Sequence, residues 1–556
     1  AGAQMLARGG NAIDAAAAVQ FALNVVEPQS SGIGGGGFMM VYLAKTGATF
    51  IVDSRERAPA GARADMFAPD GLPMPFLQAS TSGLAVGVPG TLRGIDLALR
   101  RWGSMKLSAT LAPAIELAEH GFRVNRFLAD DIVNDGGRTQ LQPETSAIFR
   151  PGGVPLVEGD WLVQPDLART LKRIAAKGPD AFYRGPMARA IVQAQQRTRS
   201  ELGDAGRGRM TLADLAQYQA AIREPLIGHY RGWTVAGMPP PSSGGLSVMQ
   251  MLGLLERFPL GDAAQGYGFG SPNTLHVMIE VMRLAFADRA VWMGDDDSVP
   301  VPRKGLLHRD YLATRSALIR PDQRMESPQA GDPTPWDRTA APPNPSRLPT
   351  ESPHTTHFSI VDRWGNVVSY TSTIEFTWGS GITVPGHGFL LNNELTDFNF
   401  MPAADAASGG ANDVAPGKRP RSSMAPTLLF RNGKPVAAYG SPGGATIINS
   451  VLNVTLNLVD HGMTMQQAID APRLSVTHAT GKVSCEGGQH FMQPGFSIAT
   501  QDALRKLGHV GLGEAGTEGC KDAIGSVQAV AIDPETGTHR GIADSRREGT
   551  VIRVKP

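Results

Sequence analysis

Residues 351–360 read ESPHTTHFSI, where a proline-rich segment meets an alternating apolar and polar run with two threonines at the join. A threonine hydroxyl is a weak nucleophile. At a chain's N-terminus, however, its own α-amine is within reach, and an unperturbed pKa of about 7.7–8 leaves part of that amine as free base near neutral pH. The amine can then accept the hydroxyl proton. Cutting the His354–Thr355 bond would create such a residue, at a boundary where a chain can be cut without disturbing its core. Thr355 is therefore a candidate nucleophile, with Thr356 as the strand residue beside it. Strands also favour threonine for packing, so on local grounds an ordinary strand start explains the pair better, and the rest of the chain has to decide.

Such chemistry needs a rigid frame. NAIDAAAAVQFALNVV, after the N-cap Asn11, places Ile13, Ala16, Ala17 and Phe21 on one face and predicts a buried helix. TLHVMIEVMRLAFADRA predicts a second helix, capped at Asn273. SSGIGGGGFMMVYLA turns into a strand. THFSIVDRWGNVVSYTSTI alternates around the turn signal WGN and predicts a hairpin starting at Thr355. Beyond it, strands (LLNNELTDF, PTLLFRNGKPVAAYG, VQAVAIDPETG, VIRV) mix with helices (TIINSVLNVTLNLVDHG, MTMQQAIDA, QDALRKLG), a mixed α/β pattern. Residues 321–354, with nine prolines in 34 residues and no apolar periodicity, read as a mobile segment.

The chain has 556 residues, room for about two to four domains. Its net charge of +1, with 19% charged residues, carries no nucleic-acid footprint and favours small-molecule partners. The 66 Gly and 41 Pro indicate a loop-rich globular protein. No apolar run is long enough to predict a membrane span. The first residues begin inside a helical pattern without a basic or apolar leader, so an upstream start and signal peptide are expected to be missing. Cys485 and Cys520 allow one disulfide or two buried thiols. Neither a metal nor a cofactor is expected: His354 and His357 form an HxxH pair off any helix, and GDDDS at 294–298 reads as a solvated loop. IGGGGF lacks the Lys-Ser/Thr of a phosphate cradle, and crowded backbone packing near Arg55 explains its glycines better.

In order and spacing, GGNAIDAAAAV, IGGGGFM, SRERAP, GVPGT, SSGG, TTHFSIVD, GSGITVPGHGFLLNNELTDF, GKRPRSSMAPT and GSPGGATII resemble the γ-glutamyltransferase (γ-glutamyl transpeptidase) family across essentially the whole chain. The resemblance implies an αββα sandwich of the N-terminal nucleophile hydrolase type, formed jointly by a large subunit, 1–354, and a small subunit, 355–556, cut from one precursor. Thr355 would be the nucleophile, Thr373 a second threonine that positions it and assists self-cleavage, and Gly443 and Gly444 the oxyanion hole. Arg55, Ser422 and Ser423 would bind the α-carboxylate of a γ-glutamyl group, and Glu375, Glu394 and Asp397 its ammonium. A planar guanidinium suits the first task, and backbone N–H groups freed by glycine suit a developing oxyanion.

Many family members carry amides at the positions of Glu375 and Glu394, whereas a Bacillus-type branch shares these acids. Three ionised carboxylates here would raise at least one pKa unless an ammonium or Arg55 offsets them. FNFMPAADAASGGANDVAPGKRPR, 398–421, resembles the family's lid, although no gating aromatic stands out. The resemblance also implies γ-glutamyl transfer from glutathione-like donors to water, amino acids or peptides, and a periplasmic or secreted location. The competing readings are a cephalosporin or glutaryl acylase, an oxamate amidohydrolase, and a non-catalytic binding homologue. Self-cleavage predicts two fragments of 354 and 202 residues. Denaturing electrophoresis with N-terminal sequencing checks this, and a single full-length band without a Thr355 start would refute it.

Overall fold

Alternation along the strand Gly36–Leu43 sets the layering of the molecule. Phe38, Met40 and Tyr42 enter one core, shared with Leu428, Ala437 and the helices Gly244–Leu255, Pro272–Trp292 and Thr446–Val459. Met39 and Val41 face the opposite way, into a second core with the helices Ala12–Val26, Thr91–Trp102, Leu107–His120 and Pro165–Lys177. A strand buried on both faces reads as a continuous apolar run, as GGFMMVYL does. The computed structural model describes residues 1–554 apart from 198–199, 338–353, 404–408 and 489–493.

Two antiparallel sheets lie between the helical layers. The five-stranded sheet runs Ala221–Arg223, Ala48–Asp53, Gly36–Leu43, Val367–Thr373, Thr356–Val361. The six-stranded sheet runs His539–Ala543, Gln528–Ile532, Lys434–Gly440, Thr427–Arg431, Trp233–Gly237, Leu226–Tyr230. This is the expected αββα sandwich. Segments before and after His354 contribute to both sheets: Gly36–Leu43 pairs with Val367–Thr373, and Trp233–Gly237 with Thr427–Arg431.

The expected N-cap Asn11 is present and reciprocated by Asp14. The second long helix starts at Ser271 instead of Asn273, because Ser271 accepts from the Thr274 amide and Pro272 suits the first helical position. The expected hairpin forms, with its first strand registered from Thr356. LLNNELTDF is not a strand. Leu390 and Leu391 make isolated bridges and Glu394–Asp397 is a 3-10 turn, since the Asn392 side chain bonds the Glu394 amide locally and competes with a ladder. VIRV, 551–554, also forms no strand; it is largely exposed, with Val551 against Gly541.

The segment read as mobile is fastened over its described part, 321–337, while 338–353 lie outside the described residues. Met325 N–H bonds Glu280 at 2.8 Å, Gly331 N–H bonds Asp288 at 2.7 Å, and Trp292 bonds the Gly331 carbonyl at 2.8 Å. These partners sit on a buried helix whose polar groups need donors and acceptors, which proline content alone does not reveal. GDDDS is solvated only in part: Asp297 and Ser298 are exposed, whereas Asp295 is buried, and Asp297 pairs with Arg223 and Arg419.

Cys485 and Cys520 form a disulfide that closes a separation of 35 residues. Chain-entropy reasoning for a loop of this length gives about 3–4 kcal/mol. Cys485→Ser with Cys520→Ser should lower the denaturation midpoint accordingly, read from urea unfolding of both proteins side by side; an unchanged midpoint would refute this contribution.

Candidate active site

Register places the two threonines together. Thr356 pairs with Ser372 and Gly36 with Thr373, so Thr355 stands opposite Thr373 at the end of the central strands. The Thr355 hydroxyl donates to the His354 carbonyl at 2.7 Å, and Thr373 Oγ1 lies 3.3 Å from that oxygen and 3.4 Å from Thr355 Oγ1. Thr373 is held in turn by the Glu375 amide at 2.9 Å. Glu375 adopts a left-handed φ of 76°, a conformation a non-glycine residue keeps when its surroundings impose it.

Every residue expected at the site lines one pocket, save His354 and Gly443, which directly precedes the lining Gly444. Met424 and Ile447 complete the wall. Gly444 and Ile447 bracket the start of the helix Thr446–Val459, so the positive end of its dipole faces the cavity. Gly443 has φ 141° and no room for a side chain, since a Cβ would come 2.5 Å from Thr446 Oγ1.

Arg55 enters just after the strand Ala48–Asp53. Its amide bonds Asp53 at 2.9 Å and its carbonyl accepts from Tyr218 at 2.8 Å, which fixes the backbone. The guanidinium pairs with Glu394 and Asp397 and also donates to the Pro420 and Arg421 carbonyls at 3.2 and 3.3 Å. Burial works against its charge, yet Glu394 and Asp397 hold its pKa above the ordinary value. Burial raises the Glu375 carboxyl well above its usual range, reinforced by Asp397 and Glu394, and burial also raises Glu394. Glu375 Oε1 is buried without a hydrogen-bond donor.

Ser422 and Ser423 are anchored by the N-cap of the helix Gly244–Leu255 and by the helix Pro272–Trp292. The Ser422 carbonyl accepts from Ser243 N–H at 2.8 Å, and Arg289 donates to Ser423 Oγ at 2.8 Å and to Ser243 Oγ at 2.7 Å. Asn393 donates to Glu375, and Asn412 ties the Asp397 carbonyl to the Arg421 amide. Sequence reading assigned no role to Ser243, Arg289, Asn393, Asn412 or Glu56; SSGG and NNELTDF carried the signal for two of them, Ser243 and Asn393. Residues 404–408 of the lid-like stretch lie outside the described residues, but its base is closed by Asp413, which accepts from Asn399 and Gly410, and Phe400 stacks on Phe67 at 4.8 Å.

His357 bonds Thr371 and Ser359 between the sheets, and burial pushes it down to about 3, so it is a neutral packing residue. His354 is also pushed down to about 3, by burial with help from Arg547 and Arg138. Among the described residues, neither belongs to a group of clustered potential metal ligands. The glycines of IGGGGF meet crowded backbone, as expected: a Cβ on Gly34 would lie 2.0 Å from the Leu390 carbonyl oxygen, and one on Gly35 2.2 Å from that of Thr373.

The family model described as Gamma-glutamyltranspeptidase matches residues 1–554. The glutathione hydrolase proenzyme of Bacillus subtilis (strain 168) is 47% identical over 556 residues, 100% of this chain and 89% of that protein. That of Escherichia coli (strain K12) is 40% identical over 551 residues, 98% of this chain and 88% of the relative. A crystal structure of cephalosporin acylase from Bacillus halodurans superposes with a TM-score of 0.82 at 29% identity, covering 99% of this chain and 93% of that one. Sequence and fold agree over essentially the whole chain, and the protein belongs to the gamma-glutamyltranspeptidase family of enzymes.

Proposed function

We propose that the chain is a self-processing γ-glutamyltransferase and glutathione hydrolase that works through a γ-glutamyl ester on Thr355. One observation carries the reading: two threonine hydroxyls meet one carbonyl oxygen, that of His354, beside a cavity lined by one arginine and three carboxylates. In the precursor, Thr355 Oγ1 adds to the His354 carbonyl carbon, and the Thr373 hydroxyl stabilises the resulting oxyanion. Collapse breaks the C–N bond, the Thr355 nitrogen takes the proton, and water hydrolyses the remaining ester. The segments 1–354 and 355–556 then stay together as a heterodimer through their shared sheets.

The freed amine of Thr355 serves as base for turnover. Thr355 Oγ1 attacks the γ-carbonyl of the donor, the Gly443 and Gly444 amides receive the oxyanion, and the amine leaves with a proton. Water or an amino acid or peptide then takes the γ-glutamyl group. A zwitterionic α-carbon suits the cavity: its carboxylate meets Arg55, Ser422 and Ser423, and its ammonium meets Glu375, Glu394 and Asp397. The disulfide suits an oxidising compartment, which supports a periplasmic or secreted location. Among the described residues no helix is long and apolar enough to cross a membrane.

The likeness to a cephalosporin acylase supports a second reading, an amidase for acyl groups without an ammonium. The carboxylates around the cavity disfavour such groups. Turnover of a γ-glutamyl anilide, with and without a dipeptide, against its glutaryl analogue separates the two; preference for the glutaryl compound would overturn the transferase reading. Thr355→Ala should stay uncut and inactive, read by electrophoresis and anilide turnover, and a processed, active variant would remove Thr355 as nucleophile. Arg55→Ala should raise KM through loss of a charge-assisted pair on the order of 2–4 kcal/mol. Unchanged kinetics would remove Arg55 from the donor pocket.

A further inference from the structure

Next to Arg55 lies a fourth carboxyl group that the reaction scheme does not use. Glu56 is fully buried, and neither of its carboxyl oxygens has a well-formed hydrogen bond; its own backbone N–H lies close to the carboxyl group. Glu394 Oε2 is buried in the same condition, although Glu394 Oε1 pairs with Arg55. Glu394 lies alongside: the place a Cβ on Gly87 would take is bordered by Glu56 Cβ at 2.9 Å and Asn392 Oδ1 at 3.4 Å, the Glu394 amide bonds that same oxygen at 3.0 Å, and the charge of Glu394 acts on Glu56. Glu56 fits there because its neighbours are glycines: a Cβ on Gly36 would come 2.4 Å from its Oε2, and one on Gly87 2.9 Å from its Cβ. The glycines at these two places admit the carboxyl group.

Orphaned buried acceptors are expensive, and two adjacent carboxylates more so. A single proton removes both problems, because a carboxylic acid has an O–H to donate and a carboxylate has lone pairs to receive it. We propose that Glu56 is a carboxylic acid whose O–H donates to the Glu394 carboxylate, and that it thereby positions Glu394 for Arg55 and for the donor's ammonium. This rests on reading the cavity as a γ-glutamyl pocket. Burial, followed by the charge of Glu394, pushes Glu56 well above the carboxylate range, with Arg55 opposing. Tyr183, Tyr218 and Tyr370, the other titratable groups facing Glu56, are all raised by burial, so they stay neutral and bring no competing charge. With Glu56 neutral, the guanidinium answers the two carboxylates it touches, and Glu394 keeps the charge an ammonium needs.

Glu56 is a positioning residue, and two measurements test it. The infrared spectrum of wild type minus that of Glu56→Gln at neutral pH should show a protonated-carboxyl band that shifts in D₂O; its absence overturns the proposal whatever the substrate. With a γ-glutamyl anilide, Glu56→Ala should raise KM about tenfold with a smaller change in kcat, the effect of losing a hydrogen bond to a charged group. Glu56→Gln, whose amide can donate to Glu394, should restore KM to within about threefold of wild type. A Glu56→Gln KM as high as that of Glu56→Ala overturns the positioning role. If wild type does not turn over the anilide at all, the γ-glutamyl reading fails, while the infrared difference still decides the shared proton.

Discussion

The ladder between Gly36–Leu43 and Val367–Thr373 is the constraint on which the rest depends. It joins a strand from before His354 to one from after it, and its register runs from Gly36 opposite Thr373 to Tyr42 opposite Val367. Because side chains alternate with period two, a slip by one residue would send Phe38, Met40 and Tyr42 into the wrong core and turn Thr373 away from Thr355. Two cores of different composition, one on each side of the strand, make that slip costly. The reactive geometry is therefore fixed by hydrophobic burial well away from the threonines. The same sharing of sheets means that a cut at His354–Thr355 leaves the layers intact.

The second constraint is charge in a buried place. Arg55, Glu375, Glu394 and Asp397 sit around one cavity with little access to water, and Arg55 already spends its donors on Glu394, Asp397 and two carbonyls. A buried ion pair contributes little net stability, because desolvation offsets the attraction, but removing one partner leaves an uncompensated charge at about 3–5 kcal/mol. Such an arrangement is better understood as recognition than as scaffolding. A ligand bringing one positive and one negative group can exchange partners inside the cluster without changing its total charge, whereas a ligand with one charge cannot. The Glu375 backbone at positive φ, tied to Thr373 through its amide, links this charged cluster to the Thr355–Thr373 pair by a single residue.

Much of the frame was legible in order of appearance. The apolar period of NAIDAAAAVQFALNVV, the capping asparagine, the WGN hairpin and the glycine run of IGGGGF each follow from local chemistry, and the structure has all of them. Local reading failed where side chains bond the backbone or distant partners. The asparagines of LLNNELTDF bend what alternation suggests is a strand, and Pro-rich 321–337 is held by Glu280, Asp288 and Trp292, which lie far back in the chain. GDDDS is acidic and short, so it reads as solvated until Arg223 and Arg419 arrive from elsewhere.

By itself the sequence determined the chemical inventory: a threonine at a linker-to-strand junction, glycines where backbone must come close, and a set of motifs whose order identifies the family. Tertiary structure alone decided which charges meet. Arg55 and Glu394 are 339 residues apart in the chain and in direct contact in the fold. Glu56, adjacent to Arg55 in sequence, carries no mark that distinguishes it from a surface acid until Gly36 and Gly87 are seen to make room for it. Ionisation, burial and hydrogen-bond supply are properties of neighbours in space, and the order of residues does not contain them.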